Sequence, residues 1–207
     1  DLKFACRFRK LAALIGQCVA RRRAAGSGPA GDAPDYVSLL LNTRDKESGE
    51  GMSDKEIVDE LTTLIVAGHE TTASALNWIW YLLGEHPEAE AKLHAEIDAS
   101  PEVPVPTLQQ MEALPYSNMV IREAMRLYPP VWVVSRRTIE SDQLGGFTVP
   151  PGTDVFFSPY FVHRHPQFWS DPERFIPERF ADEAVEARPK LTYLPFSAGA
   201  HHCIGET

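Results

Sequence analysis

The residue best suited to chemistry is Cys203, which lies near the end of the 207-residue sequence in the segment FSAGAHHCIG, residues 196–205. Gly199 and Gly205 flank this cysteine, and glycines let a backbone turn tightly and approach a flat ligand or a sulfur atom closely. Backbone N–H groups in such a loop can donate to a thiolate and lower its proton affinity. Because a soft, anionic sulfur suits iron, the segment predicts an iron ligand at Cys203.

Two other interpretations of Cys203 stay open on the residues alone. The first is a buried structural thiol, since an isolated cysteine usually behaves as a small apolar residue. The second is a zinc site that combines Cys203 with His201, His202, His163 and His165. Three adjacent ligand residues cannot easily all point at one tetrahedral metal ion, which counts against zinc.

A second group with chemical potential, Glu70 and Thr71, interrupts an apolar segment at 61–84. Gly68 loosens a helix there by about 1 kcal/mol relative to alanine. A buried Glu70 must find a partner or stay protonated. An acid next to an alcohol can deliver protons into a dry pocket, whereas a core helix with a hydrogen-bonded polar kink would explain the same residues without any function.

Glu123 and Arg126 are three residues apart, so they share one face of a helix. An isolated pair of this kind is usually a surface ion pair worth under about 1 kcal/mol. Further along, Pro-Glu-Arg-Phe occurs twice, five residues apart, and supplies Arg174 and Arg179. Two copies do not make a repeat array.

The elements that must position these residues follow from apolar periodicity and from the prolines. Ser53 and Glu56 form a capping box, and the apolar pattern then continues without proline as far as Pro87. This pattern predicts one long helix at about 53–85, which carries the acid and the alcohol.

Prolines at the first helical position predict the helices that follow. The predicted segments are an amphipathic first helix ending near Ala25, a polar linker at 26–34, a helix from Pro87 to about Ala99 and a helix at about 115–128. After Pro129, short strands are predicted at 131–134, 147–149 and 155–157, with Gly145 and Gly146 turning the chain between the first two.

The composition indicates a globular protein, since 43% of the residues are hydrophobic. A net charge of −9 gives no reason to expect a nucleic-acid partner. The first 25 residues nevertheless contain seven basic residues and one acidic residue. We interpret them as a solvated basic helix face in preference to a contact with a membrane or a redox partner.

Three unevenly spaced cysteines, Cys6, Cys18 and Cys203, do not form a disulfide framework and favour a reducing compartment such as the cytoplasm. The apolar segment at 61–84 is long enough to span a bilayer, but the polar residues inside it favour a buried helix instead. The sequence leaves membrane association undetermined, and an N-terminal anchor ahead of Asp1 is compatible with it.

The spacing F-x-x-G-x-x-x-C-x-G resembles the haem-binding loop of the cytochrome P-450 family. The resemblance implies haem b, iron-protoporphyrin IX, as the cofactor, with Cys203 as the axial ligand of the iron. It also implies that Phe196, Gly199 and Gly205 contact the haem. In this family the thiolate pushes electron density toward O–O cleavage.

Residues 67–72, AGHETT, resemble the oxygen-binding helix of the same family. The resemblance makes Glu70 the acid that relays protons and Thr71 the alcohol that donates to dioxygen. Gly68 would let the backbone open beside the haem.

The Glu-x-x-Arg and Pro-Glu-Arg-Phe motifs also resemble the family, in which they join in one network. The resemblance places Glu123, Arg126 and Arg179 in that network, and the residues ahead of the second Pro-Glu-Arg-Phe favour Arg179 over Arg174. The implied role is structural, because bidentate guanidinium bonds would pin the cysteine loop to the helix. Loss of the network should then weaken haem binding before it affects the reaction itself.

The anionic haem propionates need cations or donors, and the resemblance nominates Arg136 and His163. His201 stands where the family more often has arginine, so one propionate contact should be weaker or pH-dependent. Arg137 is the alternative to Arg136, since neighbouring strand residues face opposite ways.

The implied fold is mainly α with a small β-sheet, and residues 1–207 would form part of a single cytochrome P-450 domain. On this resemblance the N-terminal half and the end of the C-terminal region are missing, so the truncated chain alone should be inactive.

The resemblance implies that the complete protein is a monooxygenase. It would insert one atom of O2 into a small apolar organic substrate, with electrons from a ferredoxin or a flavin reductase. Two alternatives remain. One is a haem-thiolate isomerase or dehydratase, for which Glu70 and Thr71 would be unnecessary, and the other is an inactive, haem-free fragment.

Overall fold

The computed structural model describes residues 2–25, 35–101 and 105–206, with side chains from Arg7 onward. The predicted linker at 26–34 and the side chain of Cys6 lie outside the described residues. The chain divides into two compact units, one up to Glu70 and one from Thr71 onward.

The first unit is built from helix α1 (Leu2–Ala24), helix α2 (Tyr36–Asn42) and the first part of helix α3 (Asp54–Glu85). Its core consists of five buried apolar residues, Ile15, Val19, Leu41, Ile57 and Leu61. Of the basic residues at the end of α1, Arg22 lies 2.7 Å from Asp35 and Arg23 lies 2.5 Å from Asp54. These two arginines therefore pair within their own unit.

Helix α3 begins at the predicted capping box. The Ser53 N–H donates to the Glu56 carboxylate at 2.7 Å, and the Glu56 N–H donates back to the Ser53 hydroxyl at 3.3 Å. The helix is 32 residues long and continues through Gly68 without a break. The prediction of one long helix at about 53–85 is confirmed.

The prediction that the middle of this helix is buried is wrong for this chain. Ile65 and Leu76 are about half exposed, and Trp80 reaches 68%. Apolar side chains lie on several sides of α3, and among the described residues only those near its two ends are covered, as at Ile57 and Leu83. Within the described residues, none of the helices has the length and apolarity that a bilayer crossing requires.

The second unit contains the remaining helices, and the two long ones start at the prolines that predicted them. They are α4 (Pro87–Asp98), α5 (Leu108–Glu112), α6 (Pro115–Leu127), α7 (Pro159–Val162) and α8 (Asp182–Glu186), with 3-10 turns at Pro177–Phe180 and Gly199–His201. The core joins the end of α3 to α4 and α6 through seven buried apolar residues, Leu82, Leu83, Ala89, Val120, Ala124, Leu127 and Phe175.

Glu96 of α4 caps the start of α6. Its carboxylate accepts the N–H of Tyr116 at 2.6 Å and the N–H of Ser117 at 2.8 Å, and it also accepts the Ser117 hydroxyl at 2.7 Å. An acid from a neighbouring helix therefore satisfies backbone donors that proline-led helices leave unpaired.

Within the residues that the structure describes, four short strands form two antiparallel pairs. Strand β1 (Val134–Arg137) pairs with β4 (Asp154–Phe157), and β2 (Asp142–Leu144) pairs with β3 (Phe147–Val149). The fold is thus mainly α with small sheets, as predicted.

The strand at 131–134 was placed too early, because the ladder begins only at Val134, which faces Phe157. An apolar run does not by itself fix where pairing starts. Gly145 and Gly146, with φ of 56° and 86°, turn the chain between β2 and β3. Sequence reasoning missed β2 because its three residues are all exposed and carry no alternating pattern.

Candidate functional site

Arg126 is completely buried on α6, and all five of its guanidinium hydrogens are used. Nε and Nη2 donate to the two carboxylate oxygens of Glu123 at 2.6 and 2.8 Å. Nη1 donates to the backbone carbonyls of His163 at 2.8 Å and Pro172 at 2.7 Å, and Nη2 donates to that of Arg174 at 3.1 Å. One side chain thus ties the helix to three separate points of the chain.

Glu123 is equally buried and collects donors from elsewhere. Its Oε1 also accepts the N–H of Ile176 at 2.9 Å, and Nε of Arg179 lies 3.3 Å away. That Nε is buried and is not aligned to donate, so this contact is an ion pair without a hydrogen bond. The other Arg179 nitrogens donate to the Asp171 carbonyl at 2.7 Å and the Ser170 hydroxyl at 3.2 Å.

The structure therefore brings together Glu123, Arg126 and Arg179, which we call the Glu-Arg-Arg cluster. Arg174 contributes only its backbone carbonyl to it. Burial lowers the pKa of Arg179, and the Glu123 carboxylate opposes that shift. A largely buried cluster in which one carboxylate faces two guanidinium groups, and in which every donor of Arg126 has an acceptor, is suited to holding segments together.

His163, which the sequence nominated for a propionate, is enclosed in the protein and not open to a ligand. It is 0% exposed, directly after α7, and its Nε2 accepts the N–H of Leu194 at 2.8 Å. Burial lowers the pKa of His163 to about 4. The backbone of Arg126 and of Met125 opposes this shift, and the positive charges of Arg126 and Arg164 add to it. A neutral, enclosed imidazole whose acceptor nitrogen is occupied is unsuited both to a propionate and to zinc, so the nomination is withdrawn.

Tyr193 is a residue that sequence reasoning missed. Its hydroxyl donates to the Arg122 carbonyl of α6 at 3.0 Å, and its ring lies 4.8 Å from that of Phe180 and 5.2 Å from that of His163. Burial raises the pKa of its phenol. The proline-rich sequence around it has no periodicity that would have indicated a partly buried position.

The Cys203 loop begins immediately after these contacts. The Cys203 N–H donates to the Phe196 carbonyl at 2.9 Å, which closes the loop, and Gly199 turns it with φ of 76°. The thiol is exposed and unpaired, and the Gly205 N–H donates to its sulfur at 3.4 Å. A Cβ added at Gly199 would meet nothing within 4 Å.

These observations bear on the alternatives for Cys203. A structural thiol would be buried, whereas this sulfur is exposed. A sulfur that accepts a backbone N–H and faces open space fits a soft metal centre on a flat ligand. The loop therefore fits the haem that its spacing implies.

Near the loop, His201 is exposed, and Nε2 of His202 contacts the Glu206 carboxylate. On strand β1, Arg136 is exposed; its guanidinium donates to the Ser135 carbonyl at 2.8 Å and lies 6.0 Å from the centre of the Phe157 ring. Arg137 forms a two-point ion pair with Asp154 at 2.8 and 2.7 Å. The charge of Arg137 is thus neutralised, which leaves Arg136 as the better candidate of the two for an anionic ligand.

Glu70 and Thr71 are adjacent in the uninterrupted middle of α3. Glu70 is exposed and Thr71 is partly buried. The expected cost of burying Glu70 does not arise in this chain. The polar kink of the alternative interpretation is also missing, since residues 67–72 are regular helix.

An aromatic cleft of about 340 Å³ lies within the second unit. The rings of Trp78 and Tyr128 stack at 3.9 Å between centroids on one part of it. Its lining comprises Trp78, Tyr128, Pro129, Trp132, Tyr160 and Phe161. The lining is mainly aromatic and has no carboxylate, amine or imidazole, so the cleft suits an apolar group.

Comparison with known proteins gives consistent results. A family model described as Cytochrome P450 matches residues 3–207. Cyclooctat-9-en-7-ol 5-monooxygenase of Streptomyces melanosporofaciens is 41% identical over 197 residues, which cover 95% of this chain and 42% of that protein. Pentalenene oxygenase of Streptomyces avermitilis is 38% identical over 172 residues, which cover 83% of this chain and 38% of that protein.

Among solved structures, the heme domain of cytochrome P450DA superimposes with a TM-score of 0.85 at 31% identity. The match covers 94% of this chain and 43% of that one. The chain therefore spans about two fifths of the length of the proteins it matches.

Proposed function

Because the chain belongs to the cytochrome P450 family, we propose that the complete protein is a haem-thiolate monooxygenase with Cys203 as the ligand of the haem iron. The observation that carries the proposal is the exposed Cys203 thiol in a glycine loop, with a backbone N–H donating to its sulfur. An exposed sulfur in a glycine loop is open to a flat ligand, and a soft sulfur suits iron.

Haem b, once bound, would supply the redox chemistry that reduces dioxygen. The chain's own part begins with binding. Cys203 would hold the iron, while Phe196, Gly199 and Gly205 would shape the loop against the porphyrin. Arg136, which is exposed and has no carboxylate partner among the described residues, would bind a propionate. His201, also exposed, is the second candidate for a propionate.

Glu70 and Thr71 would manage protons. A carboxyl group takes up a proton from solvent and passes it to a neighbouring hydroxyl, which donates it in turn. Both residues lie on one unbroken helix, where Glu70 is exposed to solvent and Thr71 is partly buried. An isomerase or a dehydratase on the same fold would not need the pair.

The Glu-Arg-Arg cluster would act as the mechanical support of the site. It binds α6 to the chain around His163 and to the segment at 172–179 by charge-assisted bonds. We assign it no chemical step.

For the substrate we propose an apolar organic molecule, since relatives are named for cyclooctat-9-en-7-ol and for pentalenene. Electrons would come from a separate ferredoxin or flavin reductase. Both statements concern the complete protein.

The decisive experiment is a carbon-monoxide difference spectrum of the reduced complete protein. We expect a thiolate-type Soret band in the wild type and in Cys18→Ala, a control at another exposed cysteine, and its loss in Cys203→Ala. A wild type without the band, or a band that survives Cys203→Ala, would contradict the assignment.

A second experiment tests the proton pair by comparing oxygen consumed with product formed. Thr71→Ala should lower the yield of product per oxygen by roughly tenfold or more, since a positioned proton donor contributes factors of this size. Thr72→Ala, the exposed neighbour, is the matched control. Equal yields in the two variants would remove Thr71 from the mechanism.

A further inference from the structure

His163 connects the Glu-Arg-Arg cluster to the segment that leads into the Cys203 loop. Its backbone carbonyl accepts a hydrogen bond from Arg126 at 2.8 Å, and its N–H donates to the Pro159 carbonyl at 2.8 Å. Its side chain points the other way, where Nε2 accepts the N–H of Leu194 at 2.8 Å. His163 therefore contacts both the Glu-Arg-Arg cluster and the segment that leads into the Cys203 loop.

The hydrogen bond to Leu194 fixes the protonation of the ring. An N–H donor requires a lone pair on Nε2, so the proton of the neutral imidazole must be on Nδ1. Nδ1 is buried and has no partner among the described residues. Burial lowers the pKa of His163 to about 4, which keeps the ring neutral and the acceptor available near neutral pH.

The segment that His163 holds is short and has a second anchor beside the first. The hydroxyl of Tyr193 donates to the Arg122 carbonyl of α6 at 3.0 Å. Two residues after Leu194, the Phe196 carbonyl accepts the Cys203 N–H at 2.9 Å. Displacement of Leu194 would therefore be passed to the carbonyl that closes the cysteine loop.

We propose that His163 is a positioning residue. Its neutral Nε2 holds the Leu194 amide in place and so fixes the position of Phe196, whose carbonyl closes the Cys203 loop. The link to haem binding rests on the proposed function, whereas the hold on Leu194 does not. His163 touches neither substrate nor cofactor in this role.

The test uses two polar substitutions of different length in the complete protein. In His163→Gln the amide oxygen reaches the position of Nε2 and can accept the Leu194 N–H, whereas the side chain in His163→Asn is too short. His165→Asn is the control, because His165 is exposed two residues away.

The first measurement is hydrogen exchange of the Leu194 amide. We expect His163→Asn to speed exchange by about tenfold or more, and His163→Gln and His165→Asn to stay close to wild type. The second is the share of folded, haem-containing protein that gives the thiolate-type band with carbon monoxide, which should fall in His163→Asn and recover in His163→Gln.

Unchanged exchange in His163→Asn, or equal changes in the Gln and Asn variants, would overturn the proposal. Faster exchange with an undiminished thiolate-type band would also overturn it, since Leu194 would then not position Cys203. If the wild type gives no such band while exchange follows the Gln and Asn order, the proposed function fails and the hold of His163 on Leu194 stands.

Discussion

The Glu-Arg-Arg cluster and the Cys203 loop are both motifs of the same family, yet the chain completes only the first. In the cluster, Glu123 and Arg126 are 0% exposed, and every donor of Arg126 has an acceptor. In the loop, the thiol of Cys203 is exposed and receives one long contact from the Gly205 N–H. Side chains that support a site can hydrogen-bond to one another. Side chains that bind a ligand must instead keep a donor, an acceptor or a metal-binding atom free for it.

This comparison predicts that stability depends on the cluster and very little on the loop. The largest effect should come from Glu123→Gln, which leaves two buried guanidinium groups facing a neutral amide. We expect a loss of about 3–5 kcal/mol in the free energy of unfolding, as measured by urea denaturation. Glu173→Gln is the control, because Glu173 is mostly exposed in its ion pair with Arg164 and should cost under about 1 kcal/mol. Similar losses of stability in both variants would show that the cluster contributes no more than an exposed ion pair.

Acid should weaken the connection between the two regions. The pKa of His163 is lowered from 6.5 to about 4 in the folded chain, so the unfolded chain binds its proton first as the pH falls. The free energy of unfolding should therefore decrease from pH 6.5 to pH 4, by up to about 3 kcal/mol, and this contribution is fully present above pH 6.5. Urea titrations across this range should show a smaller decrease in His163→Gln. An identical decrease in that variant would show that other groups cause it.

A smaller effect is expected at the N-terminus of α6, the helix that carries the cluster. Glu96→Ala removes the acceptor for two backbone N–H groups, and such caps are worth about 1–2 kcal/mol. The unfolding midpoint in urea should fall accordingly. Asp98→Ala, an exposed acid on the same helix, should leave it nearly unchanged. If Asp98→Ala costs as much, the loss reflects charge on α4 and not capping.

The smallest effect should be that of Cys203→Ala on stability. Without haem, the free energy of unfolding should change by less than about 0.5 kcal/mol, because the side chain is exposed. Cys18→Ala, also exposed, gives the reference. A loss well above 1 kcal/mol in Cys203→Ala alone would mean that the loop is part of the core, which would remove the contrast between the two regions.

The sequence predicted most of the helical framework because the signals are local. The Ser53 and Glu56 capping box, Pro87 and Pro115 each indicated a helix start that the structure has. Strand positions were less accurate, because pairing depends on the partner strand. The predicted strand start at residue 131 differs from the observed ladder that begins at Val134.

Among the site residues, spacing indicated which ones share a helix face but not which are buried. Glu123 and Arg126 looked like an ordinary surface pair, and only the carbonyls that reach Arg126 from distant segments make the cluster a core. The resemblance nominated His163 for a haem propionate, because the sequence does not show that its Nε2 accepts the N–H of Leu194. Tyr193 carried no signal at all, since it lies in an aperiodic segment.

The contacts of Arg126 also have a consequence for how this protein can change over evolutionary time. Three of its five bonds go to backbone carbonyls, at residues 163, 172 and 174, and not to side chains. Replacement of Pro172 or Arg174 by other residues leaves those acceptors in place, so sequence drift there is compatible with the contact. Insertion or deletion of a single residue between 163 and 174 would displace at least one acceptor. Arg126 therefore constrains the length of this segment more strictly than its composition.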